Sequence, residues 1–174
     1  MKLHPSSLIA GALLFFTLFW GHKACGQEAG SKIQMFAYAI GRAEGFGVRG
    51  TIPTRYHNPG DIRAKSAHEY PGQVGLSKKR YAIFRNDAAG WAALNHQLTK
   101  TTEGSSRYSV NMTLKQMAKL YAGNSRIWCT AVARNLGVTP DTYLFEILDV
   151  PPVLDRKSLT GPPPFATMTQ VRTN

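Results

Sequence analysis

The sequence predicts a mainly α-helical (α+β) domain with a small irregular strand-and-loop insert after its first helix. Three observations lead there. Two capping boxes each stand ahead of apolar residues spaced three and four apart. A dense stretch of glycine and proline lies over residues 47–80. The composition is 43% hydrophobic and 10% aromatic with 18% charged, which supports a packed core and is unlike a disordered chain or a coiled coil. At 174 residues the chain holds one ordinary domain. Its 2 cysteines exclude a disulfide scaffold or a multi-cysteine metal site.

The domain is bounded by two other segments. Lys2 precedes the apolar run Leu8 to Trp20, which is too short to span a bilayer and suits the core of an export signal. Ala24-Cys25-Gly26 offers small residues at the cut, so residues 1–26 are expected to be a signal peptide and Gln27 the first mature residue. The protein is then exported to the periplasm or the extracellular space, touching the membrane only transiently. Lipidation at Cys25 is the minor alternative, since His22-Lys23 suits a lipobox poorly. From Pro151 onward five of the 10 prolines occur without helical periodicity, and residues 151–174 are expected to be a mobile tail.

Between these, Ser31-Lys32-Ile33-Gln34 forms the first capping box. Ile33, Phe36, Ile40 and Ala43 share a face, predicting a helix over 32–45 that stops at Gly45-Phe46-Gly47. Loops and short strands fill 47–80, and Tyr81-Ala82-Ile83-Phe84 is a strand. Asn86-Asp87 caps a helix whose Trp91, Leu94 and Leu98 are aligned, followed by a polar loop over 101–109. Thr113-Leu114-Lys115-Gln116 is the second capping box, with Met112 and Met117 as its hydrophobic staple. Trp128, Val132 and Leu136 mark the next helix, closed by Gly137, and Thr139-Pro140-Asp141 opens a last one.

Charge narrows the partners. The formal net charge is +11, and loss of residues 1–26 removes two lysines and no acid, leaving +9. Such a field attracts polyanions, and export favours the bacterial wall over a chromosome. No groove-reading motif or aromatic-interleaved basic stripe supports nucleic acid as partner. His57, His68 and His96 stand singly without zinc spacing, so no metal or other cofactor is expected. Cys129 lies among apolar residues as an inert thiol. Asn111-Met112-Thr113 matches a glycosylation sequon, relevant only to a eukaryotic secretory pathway.

Glu44 is the residue with chemistry to offer. It ends the first helix at the edge of the buried face, where the negative end of the helix dipole and partial burial both disfavour its charge. A carboxylic acid kept protonated near neutral pH is what a general acid for glycosidic cleavage requires. Asp61 offers a second carboxylate, although Asn58-Pro59-Gly60-Asp61 is also strong turn chemistry. Asn58 is placed either to hydrogen-bond a substrate beside the cleft or to stabilise that turn. Tyr121 is placed either to face sugar rings or to join the core with Leu114 and Met117.

Two segments, Ala39-Ile40-Gly41-Arg42-Ala43-Glu44-Gly45-Phe46 and Ile52 to Arg63 with its Asn-Pro-Gly stretch, resemble the opening of a lysozyme-like family related to soluble lytic transglycosylases. The segment Tyr81 to Leu94, Ser105-Ser106-Arg107-Tyr108 and Val132 to Val138 are similar to later parts of that family, so the resemblance covers nearly all of residues 33–148. It implies a lysozyme-like fold over 27–150, a monomer, with a cleft between helices and a small strand region. Glu44 would be the catalytic acid, and peptidoglycan or a related glycan the substrate. His57 stands where the family has asparagine, and Tyr121-Ala122-Gly123-Asn124 replaces the Ala-Tyr-Asn-Ala-Gly motif of typical transglycosylases. The same resemblance is compatible with a non-catalytic module that holds wall glycan in the cleft.

Overall fold

The computed structural model describes residues 24–154, with side chains from residue 32 onward. The apolar run of the expected signal segment and the tail beyond residue 154 lie outside the described residues. The architecture is mostly helical. In chain order it comprises α1 (Ala24–Glu44), α2 (Ile52–Arg55), β1 (Gln73–Leu76), β2 (Ala82–Phe84), α3 (Asp87–Thr102), α4 (Leu114–Tyr121), α5 (Ser125–Leu136) and α6 (Leu144–Leu148). None of these helices is long and apolar enough to cross a membrane.

Helix α1 is the hub, packing against α3, α5 and α6. Phe36 and Ile40 are fully buried at its centre, Ala37 and Ala39 widen the buried face, and Ile33 and Ala43 pack on the core from its margins. The helix begins at Ala24, upstream of the expected start at 32, so the backbone at Ser31 runs through as helix instead of capping one. Its other end is as expected. Gly45 and Gly47 take φ values of 81° and 86°, and the Phe46 N–H closes the helix on the Gly41 carbonyl at 2.8 Å.

Residues 47–80 do form an insert without a long helix. Its ordered parts are the single turn of α2, with Pro53 near its start, and a two-stranded antiparallel sheet. Gln73 pairs with Phe84 and Leu76 with Ala82, with a bulge between Gln73 and Gly75. Phe84 and Ala82 point into the core while Ile83 is partly exposed, as alternation along a strand requires.

Helix α3 starts where expected, the Asn86 side chain accepting from the Ala89 N–H at 3.0 Å. It runs two residues into the expected loop, because Thr101 is buried and its hydroxyl donates back to the Gln97 carbonyl. Gly90 lets this helix reach the insert: a Cβ there would lie 1.8 Å from the His57 carbonyl oxygen. The second capping box is complete, with Gln116 N–H on Thr113 Oγ1 and Thr113 N–H on Gln116 Oε1. Helix α5 buries Trp128 and Val132 and ends on left-handed Gly137.

The last helix departs from expectation. It begins at Leu144 rather than near Thr139, because the carbonyls of Pro140 and Thr142 accept from Lys115 and Leu114 at the start of α4. Thr113 and Tyr143 form an isolated bridge beside them. Those carbonyls are thus unavailable to a helical ladder until the chain has passed Tyr143. Beyond α6, residues 151–154 are exposed without secondary structure, yet Val153 is tied through both its backbone N–H and its carbonyl to the Asn111 amide. That pairing also occupies the side chain of the sequon asparagine.

Candidate active site

The site is assembled from the end of α1, the turn after α2, and the α4–α5 corner. Glu44 is the last residue of α1, and its Oε1 accepts a hydrogen bond of 2.8 Å from the indole nitrogen of Trp128. The bond is possible because α5 lies along α1, a docking also held by Asn135, whose amide donates to the Ala39 carbonyl. Burial pushes the Glu44 carboxyl up to about 7, the negative charge of Asp61 adds to the rise, and the Trp128 hydrogen bond opposes it. Glu44 is therefore a carboxyl group that stays protonated through mildly acidic pH and is about half protonated near neutrality.

The Asn58–Asp61 turn forms the facing wall. Asn58 is completely buried, and its amide nitrogen donates to the carbonyls of Ile62 and Ala82, both at 2.9 Å. Its side-chain oxygen accepts from the Ile62 N–H at 2.8 Å. The expectation that Asn58 binds substrate is corrected on that ground. Both amide donors are spent on backbone, the side chain lies behind the cleft wall, and its task is to clamp the turn to β2.

Asp61 does line the cleft. It sits at a left-handed φ of 44°, which a turn aspartate tolerates better than most residues. Its Oδ1 is buried without a hydrogen-bond partner among the described residues. Burial raises its carboxyl to about 6, against the pull of Arg63. An uncompensated buried acceptor beside an acid with a raised pKa is costly for stability and typical of a site where a ligand completes the hydrogen bonding.

Three rings are in successive contact, starting from the Trp128 that bonds Glu44. Trp128 stacks on Tyr121 with centroids 4.7 Å apart at 28°, and Tyr121 lies 6.1 Å from Tyr108. The Tyr121 hydroxyl donates to the Gly60 carbonyl, joining this row to the turn, and burial holds its pKa well above the usual value. Gly60 matters for that approach, since a Cβ there would lie 2.8 Å from Leu94 and 3.1 Å from the Tyr121 hydroxyl. Tyr121 is packed against the core, as one of its two readings expected, and it also lines the cleft.

The resulting cleft has a volume of about 700 Å³ and is lined by Glu44, Asp61, the three rings, and residues of the insert and α3. It brings together Glu44, Asp61 and Tyr121 from the expected set and leaves out Asn58. Trp128, Tyr108 and Arg107 are cleft residues that sequence reasoning did not place there. Trp128 looked like a core residue because its helical spacing says only that it faces inward, not that its N–H meets a carboxylate. Arg107 and Tyr108 lie in the polar stretch that gave no periodic signal.

Among the described residues no three His, Cys, Asp or Glu side chains converge as a metal site. His57 instead pairs with Asp87 at 2.6 Å on the surface. Cys129 is buried, and burial raises its thiol pKa, as an inert cysteine requires. Compared with protein-family models, curated proteins and solved structures, the chain finds no match.

Proposed function

We propose that this protein is an exported, lysozyme-like enzyme that cleaves peptidoglycan at the bond between amino sugars, as a glycosidase or lytic transglycosylase. The observation that carries the reading is Glu44: a carboxyl group with a pKa near 7, at a helix end, inside a cleft large enough for several sugar rings. In the reaction Glu44 gives its proton to the glycosidic oxygen as the C1–O bond breaks and the bonding pair passes to that oxygen.

Asp61 favours hydrolysis within this reading. Its carboxyl ionises at about 6, below that of Glu44, so near pH 6.5 the pair tends to hold one proton on Glu44 and one charge on Asp61. A carboxylate there meets the positive charge developing at C1, or takes the proton of an attacking water. In transglycosylation the substrate's own hydroxyl attacks and Glu44 acts alone, as acid and then base.

Incubation of protein starting at Gln27 with purified peptidoglycan, followed by mass spectrometry of the supernatant, tests the proposal. Fragments with reducing ends match hydrolysis, and anhydro ends match transglycosylation. An empty supernatant contradicts the enzymatic reading and leaves a glycan-holding module.

A further inference from the structure

The cleft carries more positive charge than a neutral glycan needs. Arg63, Lys65, Lys100 and Arg107 all line it, and all four are exposed. None lies within 4.0 Å of a carboxylate oxygen among the described residues, where the ion pairs are His57–Asp87 and Lys115–Asp141. Two of the three acids in the cleft, Glu44 and Asp61, have raised pKa values, so their charge offsets these cations only in part.

Arg107 is the most constrained of the four. One guanidinium nitrogen, Nη2, donates both to the Tyr108 hydroxyl at 2.6 Å and to the Leu120 carbonyl at 2.7 Å. The guanidinium also stands over the Tyr108 ring, 4.8 Å from its centroid. Two anchors on one nitrogen fix the position of the group while Nη1 and Nε have no partner among the described residues. A held, planar donor of this kind suits a carboxylate better than a flexible ammonium does. The row of rings from Trp128 through Tyr121 to Tyr108 links Glu44 to this guanidinium by successive contacts, so three aromatic side chains join the two groups along the cleft.

We propose that Arg107, assisted by Lys100, is an anion subsite that holds a carboxylate borne by the glycan strand, away from the sugar pair joined by the scissile bond. The subsite selects strands whose sugars carry a lactyl or peptide carboxylate over neutral amino-sugar oligomers. It rests on the reading of the cleft as a glycan site, and its test is a binding measurement that does not depend on cleavage.

The probes are two muramyl oligosaccharides of equal length, one with free carboxylates and one with those groups as carboxamides. They are titrated calorimetrically into the Glu44→Gln protein at low ionic strength. The expected result is about tenfold tighter binding of the carboxylate form, a preference that shrinks as salt rises. Arg107→Ala is expected to abolish the preference and Arg107→Lys to restore part of it. Lys100→Ala, which removes no side-chain hydrogen bond among the described residues, is expected to reduce the preference severalfold.

Equal affinity for the two probes overturns the subsite even if the wild-type protein digests peptidoglycan. A preference that survives Arg107→Ala overturns the assignment to Arg107. An Arg107-dependent preference without any digestion supports the subsite and rejects the enzymatic reading. Failure of both probes to bind at millimolar concentration overturns the subsite and the reading of the cleft as a glycan site together.

Discussion

The indole N–H of Trp128 donates to Glu44 Oε1 at 2.8 Å across 84 residues of sequence. That bond favours the charged form of an acid that burial and Asp61 push towards neutrality, so the pKa of Glu44 is a balance that single substitutions can tip. The consequences are measurable.

Glu44→Gln removes the proton donor while keeping an oxygen to accept from Trp128. Peptidoglycan digestion is expected to fall by roughly 10²–10⁴-fold, the contribution of a positioned general acid, with circular dichroism unchanged. Fragment release at the wild-type rate removes Glu44 from the mechanism.

The same substitution has a signed effect on stability. The carboxyl of Glu44 ionises near 4.5 in the unfolded chain and near 7 in the fold, so the folded state binds the proton more tightly. Its stabilising contribution is complete below about pH 4.5 and is lost as pH rises through 7. Glu44→Gln, which has no proton to lose, is therefore expected to gain on the wild type between pH 5 and 8, by about 1–3 kcal/mol at the alkaline end. Urea denaturation at both pH values checks this, and a gap independent of pH contradicts it.

Trp128→Phe keeps most of the packing against Tyr121 and deletes the donor. Without that bond the Glu44 pKa should rise, moving the alkaline limb of the pH–rate profile upward. Asp61→Asn should move the same limb downward by removing a negative charge, abolish the acid limb near 6, and slow the reaction. Asparagine tolerates the left-handed φ at 61, so this variant should fold. Profiles that superimpose on the wild type contradict the coupling.

How far these relationships could be seen in advance varied with their physical origin. Local chemistry was legible: the Thr113–Gln116 box, the Asn86 cap, the glycine stop after Glu44 and the turn at Asn58 each depend on residues within a few positions. The start of the last helix was not, because the carbonyls of Pro140 and Thr142 are claimed by α4, almost thirty residues earlier. Glu44 stood out through its helix-end position, and the direction of its pKa shift followed from that. Its partner Trp128 did not, since apolar spacing gives the facing direction of a side chain and says nothing about which acid its N–H will meet. Asn58 was ambiguous in sequence for a related reason. Its residue type suits both a ligand and a turn, and only the three backbone bonds it makes separate the two.

Asn58→Ala accordingly should act on stability rather than on substrate affinity. It takes their side-chain partner from the Ala82 carbonyl and the Ile62 N–H in the interior, while the Ile62 carbonyl keeps its bond from the Ala82 N–H, at an expected cost of about 1–3 kcal/mol. Asn58→Asp should be no better, because an ionised carboxylate cannot donate to those carbonyls. Chemical denaturation checks both, and a loss of glycan affinity with unchanged stability would return Asn58 to the binding site.

Catalysis at Glu44 requires a carboxyl group whose proton is retained in the cleft up to about pH 7. The most direct test is a carbon-detected NMR titration of the Glu44 side chain in the folded protein. A midpoint near 7, falling when Asp61 is replaced by asparagine, is the predicted result. A midpoint near the ordinary 4.5, unmoved by that substitution, contradicts it.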